Sequence, residues 1–280
     1  MIYREYLPSP ALRQYIECYW YHVFDTSPEG EELPVQRCLP LGTAELIVQL
    51  DTKPCSILNN GKWQQSSEIY FTGLFTKTAF WKTEVNTPMF GIRLKPESLF
   101  YFFDIPAADL LNNVVDADMV FSGQAGIMGE KMFGVANISS IIQIAESYFL
   151  NSLYRHKQDR NYVAEACRLI RYSQGGLSVQ ALSETLYISK RQLQRSFKKQ
   201  FGASPKTYQR IIRFRNAFQY ARKRNSGKLS WTDVSYETGY ADQAHFIRDF
   251  REFTGDTPSV LARNDQSFFQ TLEAAAATCK

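Results

Sequence analysis

One stretch of this chain occurs twice. Residues 189–202 read SKRQLQRSFKKQFG and residues 242–255 read DQAHFIRDFREFTG, at a constant offset of 53. The offset carries Leu193 to Phe246, Arg195 to Arg248, Phe197 to Phe250, Lys198 to Arg251, Gly202 to Gly255 and Pro205 to Pro258. Each copy predicts a short helix, with Ser189 or Asp242 capping its first turn and a glycine closing its last. The apolar pairs four residues apart fall on one helical face, which turns Arg195 or Arg248 elsewhere. Before each copy lies a short amphipathic segment in which a small residue follows an apolar one, Leu182-Ser183 and Val234-Ser235. The small residue allows a second helix to cross closely, and a tight turn, with Gly239 in the second copy, joins the two. A short helix, a tight turn and a basic second helix make a helix-turn-helix, whose second helix enters the major groove of DNA. Any two amphipathic helices share a 3.6-residue period, but not this register of Arg, Phe, basic residue, Gly and Ser/Thr-Pro.

The charge follows the repeat. Residues 161–263 hold 18 Lys and Arg against 8 Asp and Glu, whereas residues 1–160 hold 13 against 18. A basic half beside an acidic half implies that the basic half meets a polyanion, and DNA releases condensed counterions to Lys and Arg. Between the two copies, Ser204-Pro205 opens a long helical segment that runs to about Arg224, with Ser as N-cap and Pro at the first position. About 20 residues at ~1.5 Å each span roughly 30 Å, close to the ~34 Å of one DNA turn.

Residues from about 161 to 263 resemble the DNA-binding domain of AraC/XylS-type transcription regulators, over both helix-turn-helix units and the joining helix. The segment GYADQAHFIRDFREFTGDTP is a close match to that family's signature. The departure is Tyr187, where the first turn more often has Gly; a positive φ there carries a strain cost. By resemblance, Arg191, Gln194, Arg195, Gln243, Ala244 and Arg248 match the positions that face the groove. The chemistry agrees: Arg reads a guanine edge with two donors, Gln does the same at adenine, and Ala can touch a thymine methyl. Lys198, Lys199, Arg251 and the helix starts at Ser204 and Thr257 are placed for phosphate, which sets position rather than sequence. Asp242 is expected to cap its helix, and His245 to pack or cap.

The first half predicts a mostly β domain of short strands, a small barrel or sandwich. A helix containing Leu12, Tyr15, Ile16 and Tyr19 is expected first, then a strand at Trp20–Phe24. Strand candidates follow at 42–50, at 69–74, 79–85 and 89–94, with a hairpin at 56–65 around Asn60-Gly61. After Pro96 come short helices, then a clear amphipathic helix over 138–154, whose apolar stripe fits dimerisation and packing on its own domain equally well. The order of strands, the stretch RLKPESLFYFFDIPAADL and the closing helix look like the sensor domain of a subset of AraC-type regulators. That resemblance implies an effector or dimerisation domain. Trp20, Tyr21, Phe24, Trp81 and Arg93 are candidates for an aromatic effector pocket with one cationic anchor.

The expected class is α+β: a β-rich domain over 1–155, a linker over 156–161, an all-α DNA-binding domain over 162–263 and a tail over 264–280. The expected activity is sequence-specific DNA binding in transcription regulation. A ligand-independent regulator is the first alternative, and an enzyme with a DNA-binding appendage the second. Five scattered cysteines and three histidines form no CxxC or His/Cys cluster, and no P-loop, GxGxxG or GxSxG occurs, so no cofactor, metal or catalytic residue is expected. No run of 18 apolar residues and no leader is seen, so a cytoplasmic protein without a membrane partner is expected. Double-stranded DNA is the expected partner, with RNA polymerase, a small-molecule effector and a second copy of the chain as further candidates.

Overall fold

A computed structural model describes residues 2–23, 35–51, 53–59, 61–83, 87–102, 107–121, 123–155, 161–223 and 230–260. Its first part holds ten strands: β1 (Ile2–Tyr6), β2 (Ile16–Val23), β3 (Gln36–Cys38), β4 (Ala44–Gln49), β5 (Ser56–Asn59), β6 (Lys62–Gln65), β7 (Ile69–Thr72), β8 (Ala79–Lys82), β9 (Met89–Leu94) and β10 (Val114–Asp116). They form two antiparallel sheets, a six-stranded one in the order β1-β2-β9-β4-β7-β10 and a four-stranded one in the order β3-β8-β5-β6. Four helices follow: α1 (Leu99–Phe102), α2 (Ala117–Phe121), α3 (Gln124–Met132) and α4 (Ile138–Arg155).

The six-stranded sheet is apolar on both faces, because each face is covered. Tyr19, Leu46, Val48, Phe71, Phe90 and Ile92 pack with Phe102, Phe121, Met128, Ile141, Ala145 and Phe149 of the helices. The stripe of α4 is therefore buried on its own domain. The neighbouring positions alternate to the opposite face: Cys18, Trp20, Ile47, Tyr70 and Met89 pack with Cys55 and take Ile57 and Trp81 of the second sheet against them. Gly91 is required between them, since a Cβ there would lie 1.8 Å from the Trp20 ring.

The start of the chain differs from the sequence expectation. Residues 10–15 form turns, and Ile16 and Tyr19 lie in β2 rather than in a helix. The aromatic and β-branched run IECYWYHV pairs with β1 on one side and β9 on the other, and this pairing overrides a helical spacing only two turns long. Phe24, the linker residues 156–160 and the expected tail fall outside the described residues.

The second part is helical: α5 (Tyr162–Tyr172), α6 (Val179–Thr185), α7 (Lys190–Phe201), α8 (Pro205–Lys223), α9 (Trp231–Glu237) and α10 (Gln243–Thr254). Leu182, Leu193, Phe197, Phe201, Tyr208, Phe214, Val234, Phe246, Phe250 and Phe253 share its core. Leu39 and Leu74 of the β-rich part belong to that same core, and the pairs Glu97–Arg171 and Glu17–Arg215 cross the boundary. No described helix is long and apolar enough to cross a membrane.

Candidate nucleic-acid interface

The two repeats are built alike. Ser183 and Ser235 are buried where the second helix crosses, and their hydroxyls donate back to the carbonyls of Gln180 and Thr232 at 2.8 and 2.7 Å. A small polar residue thus fits the crossing without an unpaired hydroxyl. Each turn is closed by the same backbone bond, Ile188 N to Ser183 O and Tyr240 N to Ser235 O, both 3.0 Å. The left-handed residue is Gly239 in the second unit (φ 75°) and Tyr187 in the first (φ 54°). Tyr187 therefore occupies a conformation that favours glycine. The first helices repeat at an offset of 52, from Leu182 to Val234, one less than the 53 that separates α7 from α10, the expected reader helices. The second turn is one residue longer, at Ala241.

Ser189 Oγ accepts from Gln192 N (3.1 Å) and Asp242 Oδ1 from His245 N (2.7 Å), so both readers are capped. Gly202 and Gly255 end them in the left-handed region. Phe197 and Phe250, each buried, anchor the inner faces, and burial of such a ring stabilises by about 1.5–3 kcal/mol. That anchoring leaves Arg191, Gln194 and Arg195 exposed on α7, and Gln243, Ala244 and Arg248 exposed on α10. The Gln243 amide oxygen accepts from Thr232 Oγ1 at 2.9 Å, which ties this side chain to α9. Ala244, Ile247, Arg248, Arg251 and Glu252 line a surface hollow of about 550 Å³ on α10.

Lys199 and Arg251 are exposed beside these faces. Lys198 instead extends to the end of its own helix and donates to Gly202 O at 2.7 Å. Ser204 accepts from Thr207 N at 3.0 Å as the N-cap of α8, and Thr257 lies half-buried at the start of the last described turn. His245 rests edge-on against the Tyr240 ring, with Nε2 3.8 Å from Asp249 Oδ2.

Sequence reasoning missed the group that seats the second reader. Arg210 of α8 donates from Nε and Nη2 to Asp249 Oδ1 at 3.1 and 2.8 Å, and from both terminal nitrogens to Glu252. Its guanidinium also lies over the Phe253 ring, 5.2 Å from the centroid. The Glu252 hydrogen bond, with Asp249 behind it, raises the Arg210 pKa, and the same bond holds Glu252 below the usual carboxylate range. An acidic residue in mid-helix beside an otherwise apolar face was the one available signal.

The residues read as an effector pocket divide. Trp20 and Trp81 meet in the inner cluster between the sheets, and Arg93 lies on the same face of β9 as Gly91, which supports Trp20. Tyr21 alternates to the opposite face of β2 from Trp20, so it does not join them. Arg93 already donates to Glu45 (2.6 Å), Glu5 (2.8 Å) and the Tyr3 hydroxyl (3.2 Å). Burial works against its charge, but Tyr3, Cys18, Glu45 and Glu5 outweigh it and raise the pKa. Among the described residues, the buried Trp20 Nε1 donor meets no hydrogen-bond partner. Among the described residues, no group of His, Cys, Asp and Glu could hold a metal ion.

Residues 182–264 match the model of a helix-turn-helix domain family, and residues 4–116 match a domain of unknown function (DUF6597). Comparison with curated protein sequences finds no match. Among solved structures, ToxT from Vibrio cholerae is similar in fold, with a TM-score of 0.50 at 9% identity over 86% of this chain and 97% of that one. A ToxT structure bound to (E)-4-(8-methylnaphthalen-1-yl)but-3-enoic acid aligns with a TM-score of 0.49 at 11% identity, over 91% and 99% of the two chains. The AraC-like transcriptional activator CuxR aligns at 0.24, with 13% identity over 79% and 88%. The matched helix-turn-helix model spans both capped helices, α7 and α10, and the chain as a whole is similar in fold to ToxT.

Proposed function

We propose that α7 and α10 enter successive major grooves on one face of a DNA duplex, and that the β-rich part controls how they do so. The observation that carries this reading is the pair of exposed faces, Arg191/Gln194/Arg195 and Gln243/Ala244/Arg248, on helices joined by one continuous α8. The 19 residues of α8 span about 28 Å at ~1.5 Å each, against ~34 Å for one DNA turn. Arg195 and Arg248 are the base readers at equivalent slots. Lys199 and Arg251 take phosphates, as do the helix starts at Ser204 and Thr257. Lys198 reaches a phosphate only by leaving Gly202.

The units of function are residues 1–155 and 162–263, with no catalytic role assigned to either, and the site of action is the cytoplasm, where the DNA is. A small molecule acts through the inner face between the sheets, where a buried indole donor and the Arg93 cluster supply polar groups in an apolar setting. RNA polymerase and a second copy of the chain are the remaining partners of this reading.

Selection from a randomised duplex library, at one stated salt, tests it. The wild-type chain should enrich two submotifs about one helical turn apart. Arg195→Ala should erase preference within the first and Arg248→Ala within the second, each weakening binding by about tenfold or more. Sequence-blind retention by the wild type, or unchanged motifs in both variants, would sink the reading.

A further inference from the structure

The two readers end differently. At the end of α7, Gly202 packs against Ala108 and Leu111, and Lys198 of the same helix holds the Gly202 carbonyl. At the end of α10, the Phe253 carbonyl is one of the last four, which no helix can satisfy from within. It accepts two hydrogen bonds from Thr78, from the backbone N at 2.9 Å and from Oγ1 at 2.8 Å. Just beyond, Asp256 Oδ2 accepts from Arg37 Nη1 at 2.8 Å.

Both donors come from the β-rich part and from one strand pair. Arg37 is central in β3, Thr78 directly precedes β8, and the strands pair with Arg37 opposite Phe80. The Arg37 guanidinium lies over the Phe80 ring, 5.7 Å from its centroid, which ties the ion pair to the strand pair. The next residue of β8, Trp81, packs on the inner cluster between the sheets.

We propose that Thr78 and Arg37 are positioning residues for DNA recognition, with the β3–β8 pair fixing the tilt of α10 and so the register between the readers. This rests on the reading that α10 enters a groove. The leverage is geometric. Twelve residues make a helix about 18 Å long, so a tilt of roughly 10° about its pinned end moves Gln243 and Ala244 by about 3 Å, a full hydrogen-bond length. The Arg37–Asp256 pair is about one-third exposed on each side, and such pairs add little to stability, so its use lies in direction.

The test uses the full chain and the randomised duplex library. Thr78→Val removes one of the two donors and Arg37→Ala the ion pair; Thr78→Ser keeps the hydroxyl and is the control. The Thr78→Val/Arg37→Ala variant should retain the first submotif and its affinity for duplexes carrying that submotif alone. Its second submotif should lose preference or scatter in spacing, with affinity for the wild-type duplex down about tenfold, and Thr78→Ser should behave as wild type. Unchanged spacing and affinity in the double variant would overturn the proposal, as would equal loss of both submotifs, which is what a merely structural contact gives. A wild-type chain that selects no motif would instead overturn the groove reading itself.

Discussion

Tyr187 is 95% exposed and sits at φ 54° in a turn whose counterpart is Gly239. A side chain in the left-handed region costs about 1–2 kcal/mol, and replacing it by Gly adds back roughly 0.5–1 kcal/mol of unfolded-state freedom. Tyr187 has little packing to lose, so Tyr187→Gly should stabilise by up to about 1 kcal/mol, a rise of about 2–4 °C in Tm for a chain of this size. A thermal melt of the full chain decides it, and a fall in Tm would mean that the exposed ring has an unseen contact. The Tyr at this turn, against Gly239 in the second unit, was legible in the sequence, and the structure adds the sign of φ. The role of Arg93 was not legible. It is a candidate cationic anchor in the sequence, and what the structure adds is that Glu5 and Glu45 reach it across a sheet in which β1, β2, β9 and β4 are neighbours. Nothing local in the chain announces that pairing. Tyr21 was legible, since strand alternation alone separates it from Trp20.

At the scale of elements, α8 carries the second reader through Phe214, which packs on Phe250 and Phe253, and through the charge of Arg210. Asp249 is 1% exposed, and Arg210 is the cation that donates to it. Removing one member of a fully buried pair costs about 3–5 kcal/mol, and less where the cation is partly exposed as Arg210 is, whereas replacing both by apolar groups is often neutral. Arg210→Leu should therefore lower the urea midpoint of the full chain strongly, and Arg210→Leu/Asp249→Leu should recover most of the loss. A double variant no better than the single would show that the pair acts through Glu252 or Phe253 instead. Both helix-turn-helix units were readable from residue spacing because their caps, turns and apolar pairs are local. The extra residue at Ala241 was also there to be read, in the offset of 52 between Leu182 and Val234 against 53 between the readers. The opening helix was misread because a spacing of two turns at Leu12, Tyr15, Ile16 and Tyr19 competes with strand partners far along the chain. Those partners are set by tertiary pairing rather than by propensity.

At the scale of the molecule, the two halves share buried surface, so acid should loosen them in a fixed order. His22 lies on the inner side of the six-stranded sheet, and burial lowers its pKa to about 4. Below its unfolded value near 6.5, the unfolded chain takes up a proton that the folded chain refuses. Stability should fall from pH ~6.5 to ~4, by about 3 kcal/mol in all. Glu17 titrates later. Burial would raise its pKa, but Arg215, across the boundary between the halves, outweighs this and holds it below the usual carboxylate range. Its contribution is present above the ordinary carboxylate value and is lost only as pH falls through the lower folded value. Melts between pH 8 and 3 should therefore show a first decline that His22→Gln removes and a second, below about pH 4.5, that Glu17→Gln removes. Far-ultraviolet circular dichroism would follow the helices, and Trp fluorescence in a Trp231→Phe background the sandwich, where Trp20 and Trp81 lie. If His22→Gln left the first decline intact, the sandwich would not be the acid-sensitive part. If Glu17→Gln abolished both, the boundary between the halves would govern the β-rich part as well as the readers.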